Sequence, residues 1–187
     1  GGAFNQATNG GSKDMYLFLT NSAYAQVWGT FLGGPAPQEN FMCRFDNSDN
    51  IYFIGESSWF TASTLANENI VSLAGAYNDN SHNGGTDVLL GKFTSAGALV
   101  WNTFYGGDIS DARQGQQGGY AKILIDPTTQ ELSMFWNTTS TNLPTLNAGG
   151  GAYYKTVPTH ASFNGSGSFW NYAAYFARFT SAGALDH

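Results

Sequence analysis

The sequence predicts an all-β chain of repeated four-stranded units, and three observations carry that expectation. A 24-residue sentence is written twice without a gap. Residues 11–34 read GSKDMYLFLTNSAYAQVWGTFLGG, and residues 84–107 read GGTDVLLGKFTSAGALVWNTFYGG, with 12 positions identical at an offset of 73. The apolar residues alternate with a period of two, the signature of strands and not of helices. The runs between turns are short, β-branched and aromatic, and no amphipathic helix of useful length interrupts them. A fixed period of this length marks a repeat architecture.

In the first repeat the strands are predicted at 15–19, 26–32, 41–45 and 51–55, and in the second at 88–93, 99–105, 120–125 and 132–136. Turn residues separate them: Thr94-Ser95-Ala96-Gly97 in one hairpin, Asp46-Asn47-Ser48-Asp49-Asn50 and Asp126-Pro127-Thr128-Thr129-Gln130 in others. Asp, Asn and Ser close such turns through their own side chains, and Gly97 supplies a positive φ. A third copy opens at Gly151-Ala152-Tyr153 and reaches FTSAGAL at 179–185, predicting a strand at 174–179. The chain therefore divides into repeat 1 (2–74), repeat 2 (75–150) and partial repeat 3 (151–187).

Four antiparallel strands repeated around an axis is the logic of β-propeller blades, here about two and a half, with neighbours covering both faces of each sheet. Trp28 and Trp101 hold equivalent places and are expected in the layer between sheets. The glycine pairs after them suit a close backbone approach. A closed propeller has roughly four to eight blades, so this segment alone is expected to leave sheet edges open. Longer polar segments, 57–85 and 138–171, are expected as loops gathered at one end of the stack, where repeat proteins keep their binding function.

Composition narrows the function classes. Only 11% of residues are charged, 16% are aromatic and 24 are glycine, while the net charge is −6. With seven Lys and Arg and no basic stripe, nucleic acid is not an expected partner. The apolar runs are strand-sized, far short of the ~20 residues of a membrane helix, so membrane insertion is not expected. Cys43, the single cysteine, sits in a strand-like run and is expected as a buried structural thiol.

The motif order Gly-Ala-Tyr (75–77), Gly-Gly-Thr-Asp (84–87), Phe93, then GALVWNTFYGG (97–107), with DNSDNIYFIGES closing the first unit at 46–57, resembles the bacterial SBBP-type β-propeller repeat. The resemblance covers nearly the whole chain. It implies a segment of a larger propeller in a secreted or surface-exposed bacterial protein, of a kind common in Bacteroidetes and often exported by type IX secretion. It carries no universal catalytic residue. Two departures stand out: Trp136-Asn137-Thr138 replaces Gly55-Glu56-Ser57, and Ala173 stands where Asp14 and Asp87 do.

Several residues invite a chemical role. Asp14 and Asp87 recur, either as calcium ligands or as acceptors for backbone N–H groups where the glycine-rich loop enters the strand. Asp46 and Asp49 resemble part of a calcium loop, but no Gly and distal Glu complete the pattern; a polar hairpin turn is the other reading. His82, His160 and His187 recur in no register and read as solvent-facing loop residues. Glu39, Glu56, Glu68 and Glu131 offer acid–base candidates without a fixed separation. No catalytic residue and no cofactor is assigned. The aromatics Trp59, Phe60, Tyr153, Tyr154, Phe169 and Trp170 flank the strands or lie in the long segments. They suit stacking on glycans or anchoring a protein partner, or folding back over sheet edges. A non-catalytic binding segment is the leading expectation, and a polysaccharide hydrolase or lyase on the same scaffold is the alternative.

Overall fold

The computed structural model describes residues 4–58, 69–111, 121–144 and 173–186. Those residues are all-β, and each strand lies where the period-two pattern puts it. The strands are β1 (Met15–Thr20), β2 (Gln26–Leu32), β3 (Gln38–Phe45), β4 (Ile51–Ser58), β5 (Thr86–Phe93), β6 (Leu99–Tyr105), β7 (Lys122–Ile125), β8 (Leu132–Thr138) and β9 (Ala173–Phe179). They form three antiparallel sheets, in the orders β1-β2, β3-β4-β5-β6 and β7-β8-β9.

The sheets are out of phase with the sequence repeat by half a unit. The last two strands of repeat 1 join the first two of repeat 2: β4 pairs with β5 over eight consecutive positions, from Ile51↔Phe93 to Ser58↔Thr86. The local reason lies between β2 and β3. Gly33-Gly34-Pro35-Ala36-Pro37 contains two prolines without an N–H, so no ladder continues there and the chain crosses to the next sheet. The turns inside each hairpin do the reverse. In the β3–β4 turn the Asp49 N–H donates to the Asp46 carbonyl at 3.0 Å, with Asp49 at φ 57.

Successive strand residues point to opposite faces, so a strand covered on both sides must be apolar almost continuously. β4 and β5 of the middle sheet are such strands. On one face Ile51, Phe53, Leu89, Phe93 and Phe104 pack with Met15 and Leu32 of the first sheet. On the other, Tyr52, Ile54, Val88, Leu90, Trp101 and Tyr105 pack with Ile123, Leu132, Met134, Trp136 and Phe179 of the third. The three sheets stand in a row, with β4 and β5 of the middle one covered on both faces.

Both junctions are closed by the same contact. The Trp28 indole lies against Gly97 in the β5–β6 turn, and the Trp101 indole lies against Gly183 in the turn after β9. A Cβ at Gly97 would meet the Trp28 ring at 2.8 Å, and one at Gly183 would meet Trp101 at 2.7 Å. Both glycines have positive φ, 81° and 86°, so conformation and space each require the missing side chain. Trp28 adds an indole N–H donated to the Ser95 carbonyl at 3.1 Å.

Among the described residues no sheet closes, and those preceding two of the hairpins run along an outer strand. The Phe104 N–H donates to Asp79 O at 3.0 Å, the Asn102 N–H to Val71 O at 3.1 Å and the Phe31 N–H to Gln6 O at 3.0 Å. The free sides of β2 and β6 are thereby partly satisfied by the chain that precedes each hairpin, a standard protection for an exposed edge. Cys43 also departs from the expected burial: β3 is the edge strand of its sheet and the thiol is exposed.

Replacing Trp101 with Ala should lower the unfolding free energy by about 3–5 kcal/mol, the range for a large buried aromatic. Leu124→Ala, on an exposed face, should change it by less than about 0.5 kcal/mol. Urea unfolding monitored by circular dichroism distinguishes the two; equal losses would show that the indole closes no junction.

Candidate functional site

Two features stand out once the sheets are placed: a carboxyl knot beside each glycine pair, and an aromatic face at each end of the stack. The knot begins with the recurrent aspartates. Asp14 Oδ2 accepts the Gly10 N–H at 2.7 Å, and Asp87 Oδ2 accepts the Asn83 N–H at 2.8 Å, the same four-residue loop in both repeats. Each carboxylate lies on the first glycine of its pair. An added Cβ at Gly33 would stand 2.7 Å from the Asp14 carboxyl carbon, and one at Gly106 would collide with the Asp87 carboxylate. The spacing of Asp and Gly-Gly in the sequence is thus one contact seen twice.

The second junction adds a group that sequence reasoning missed. Asp111 is buried and its Oδ2 accepts the Gly107 N–H at 2.7 Å and the Ser140 hydroxyl at 2.9 Å. Its counterpart at the 73-residue offset is Gln38, which is also buried and pairs with Ser57 as Asp111 pairs with Thr138. Extending the gapless alignment four residues past the glycine pair would have found both. Burial pushes the Asp87 carboxyl up to about 7, against its hydrogen bond from Asn83, and the nearby Asp111 charge adds to the rise. Burial likewise raises Asp111, opposed by hydrogen bonds that include those from Thr138, Gly107 and Ser140.

His82 belongs to the same knot and corrects the expectation of a solvent-facing loop histidine. Its side chain is buried, with Nε2 2.7 Å from the Ser57 carbonyl, Nδ1 3.2 Å from the Gly84 carbonyl and Nδ1 3.8 Å from Asp87 Oδ2. The ring also meets the edge of Phe104 at 5.2 Å. General acid–base work requires reach to a substrate, and Asp87 and Asp111 expose no surface. The knot anchors the incoming loop to the strand.

The remaining polar candidates are dispersed. Asp46 Oδ1 accepts the N–H groups of Ser48 and Asn50, each at 2.9 Å, and Lys92 Nζ lies 3.3 Å from Oδ2. Burial pushes this carboxyl up, but its hydrogen bonds from Asn50, Ser48 and Lys92 outweigh that and hold it below the usual range. Asp49 takes part in the turn through its backbone. Glu131 lies 3.4 Å from Arg178, and Lys13 pairs with Glu39. The β3–β4 register sets Glu39 opposite Glu56, beside an irregularity at Asn40 with φ 57, so two of the acids do share a place. Among the described residues no group of three or more His, Cys, Asp or Glu is placed to hold a metal ion. Trp59, Phe60, Tyr153, Tyr154, Phe169, Trp170, Glu68, His160 and His187 lie outside the described residues.

The end faces were not foreseen. On the first sheet Tyr16 and Phe18 point away from the stack, and Tyr16 stacks on Phe18 at 5.8 Å and tilts against Phe31 at 4.8 Å. On the third sheet Leu124, Phe135 and Phe176 point outward, with the two phenylalanine rings 4.9 Å apart. The outward-pointing five are between 43% and 57% exposed. The repeat register explains them. Tyr16 and Phe31 correspond to Leu89 and Phe104, and Phe135 and Phe176 correspond to Ile54 and Leu90, all of which the middle sheet buries against a neighbour.

No family model matches this chain, and no curated protein matches it significantly.

The knot has a pH signature. Folding raises Asp87 from an ordinary value of 3.8 to about 7, so the folded state holds a proton that the unfolded chain releases. Its contribution is full below about pH 4 and declines as pH rises towards 7, because stability falls wherever the folded state binds more protons. Asp111 is shifted in the same sense. Urea midpoints should therefore fall between about pH 4.5 and 7.5, and Asp87→Asn, whose amide oxygen retains the Asn83 N–H, should flatten that slope by up to about one proton. An unchanged slope in the variant would show that Asp87 is ionised in the folded protein.

Proposed function

We propose that this chain is a non-catalytic structural and binding segment of a β-propeller. In this reading each blade is a four-stranded sheet of the kind formed by β3-β4-β5-β6, and the segment belongs to an exported protein of a bacterial cell surface. It meets other proteins or glycans through its long segments, and its remaining blades come from further repeats or another chain. The observation that carries the reading is the recurrent junction: the indole of one sheet seated on the left-handed glycine of the next, with the middle sheet buried on both faces. The SBBP-type motif order and the low charge favour export and surface contact. In this reading Asp14, Asp87 and Asp46 serve as acceptors of protein hydrogen bonds.

The binding part of this proposal is tested with a glycan array and a pull-down from surface extracts, using the chain and its Trp59→Ala and Trp170→Ala variants. Retention of a glycan or protein that drops by about tenfold or more in either variant, with unchanged melting, is the expected result for an aromatic anchor. No ligand for the parent chain, or binding indifferent to both substitutions, would remove the proposed contact residues.

The hydrolase or lyase alternative has one observation in its favour, the Glu39–Glu56 pair beside the β3 irregularity, since such irregularities recur next to active sites. Turnover of polysaccharides by the chain, abolished by Glu39→Gln or Glu56→Gln, would replace the binding reading.

A further inference from the structure

The two carboxyl knots occupy the same register, but the second is built from groups that titrate. Beside Asp14 the first repeat carries the amides Gln6, Asn9 and Gln38; at the 73-residue offset the second carries Asp79, His82 and Asp111 beside Asp87. The backbone bonds are the same in both. The Gln6 N–H donates to Thr30 Oγ1 and the Phe31 N–H to the Gln6 carbonyl. The Asp79 N–H likewise donates to Thr103 Oγ1 and the Phe104 N–H to the Asp79 carbonyl. The side chains are not equivalent. Gln6 Nε2 donates to Asp14 Oδ2 at 3.1 Å, a bond that an ionised Asp79 cannot supply to Asp87.

The second knot thereby holds an acid pair closed off from water. Asp87 and Asp111 are fully buried, and both carboxylates border the space where Gly106 would carry a Cβ. Asp87 Oδ2 accepts the Asn83 N–H, whereas its Oδ1 has no hydrogen-bond partner. Asp111 Oδ2 accepts two donors, the Gly107 N–H and the Ser140 hydroxyl. A buried carboxylate oxygen without a donor is costly, and protonation removes that cost. Asp111 is therefore the member that keeps its charge, and Asp87 Oδ1 is where a proton goes. Among the described residues no lysine or arginine forms an ion pair with either carboxylate, and His82, 3.8 Å from Asp87 Oδ2, is the basic group that reaches the pair. Asp79 and the Tyr77 phenol act on Asp87, and Asp111 acts on the Tyr105 phenol; burial pushes both phenols up, so they stay neutral. Asp108, on the same segment as Asp111, spends its carboxylate on the Thr141 N–H and hydroxyl.

We propose that the second knot is a pH-operated latch on the segment preceding β5: with a proton on Asp87 it holds residues 79–83 along β6, and loss of that proton beside Asp111 and Asp79 releases them. The amide-lined knot of the first repeat holds residues 6–10 along β2 over the same range. Opening exposes Asp87, whose carboxyl returns from about 7 to its ordinary 3.8 and gives up the proton. The open form therefore gains on the closed form by up to about tenfold per pH unit between about pH 4 and 7, and the gain levels off above that. The latch is tight in acid and loose at neutral pH. What it uncovers is the edge of β6, beginning with the Phe104 N–H.

Amide hydrogen exchange of the whole 187-residue chain tests the latch, read by NMR and corrected for intrinsic exchange. Protection of the Phe104 N–H should fall by up to about tenfold per unit between about pH 4.5 and 7, while that of its counterpart, the Phe31 N–H, changes less than about twofold over the whole range. In Asp87→Asn the Phe104 profile should become flat. In Asp111→Gln, which installs the first repeat's residue and removes the neighbouring charge, the fall should move to lower pH. Where Asp87→Asn fails to fold, the carboxyl carbon shift of Asp87 in the parent reads the same proton and should titrate near 7 instead of near 4. A parallel fall at Phe31 and Phe104 overturns the proposal, because the chain then opens as a whole. So does a flat Phe104 profile in the parent, or an Asp87 carboxyl ionised throughout. A slope that survives Asp87→Asn but vanishes in His82→Asn assigns the proton to the imidazole and overturns it likewise.

Discussion

An indole seated on a glycine that turns left-handed is the contact on which the rest of the arrangement depends. A small antiparallel sheet with apolar residues on both faces is unstable in water, because each face must be removed from solvent by something else. Trp28 and Trp101 reach from one sheet to the turn of the next and bring the faces together. The turn must then lack a side chain and adopt a positive φ, and both conditions fall on one residue, Gly97 or Gly183. Burial of Phe93 beside Trp28, and of Phe179 and Tyr105 in the following junction, completes the layer. One contact thus accounts for the repeated tryptophan and the repeated glycine.

The carboxyl knot serves a different need. The segments preceding β1 and β5 must leave one sheet and lie along the edge of the hairpin that follows. Asp14 and Asp87 hold the backbone of these segments four residues before the strand while resting against the closing glycine. Thr30 and Thr103 fix the same segments from the opposite strand, accepting the N–H of Gln6 at 3.0 Å and of Asp79 at 2.8 Å. Burying an aspartate opposes ionisation, which is the physical origin of the raised Asp87 and Asp111 carboxyls. The junction between the first two sheets avoids a second acid by placing Gln38 where the next has Asp111.

Inside the stack most aromatic side chains are consumed by packing, while Phe45 on the edge strand β3 is exposed. The outward faces of the first and third sheets carry Tyr16, Phe18, Leu124, Phe135 and Phe176, all between 43% and 57% exposed. The Lys92 ammonium illustrates how little charge the interior admits: it lies over the Tyr52 ring at 4.6 Å and beside Asp46, so its charge is balanced on two sides.

Much of the fold was legible in the residues themselves. Period-two alternation located every strand, because the pleat sends successive side chains to opposite faces wherever the strand is later placed. The Asp46 and Gly97 turns were legible because their geometry is local. The repeat also marked Trp28 and Trp101 as positions between sheets, and Asp14 and Asp87 as either calcium ligands or backbone acceptors. The grouping of strands was not legible, since β4 has two candidate neighbours in sequence and hydrogen-bonds to both, while the proline-interrupted link sends β2 and β3 to different sheets. Nor was the environment of single residues: His82 is buried because residues 76–83 fold back across the sheet, and Cys43 is exposed because its strand is an edge. Local chemistry determined the strands, turns and repeat of this protein. Only the tertiary structure decided which strands share a sheet, which polar groups are buried and which aromatic faces are left open, because each of those depends on neighbours distant in the chain.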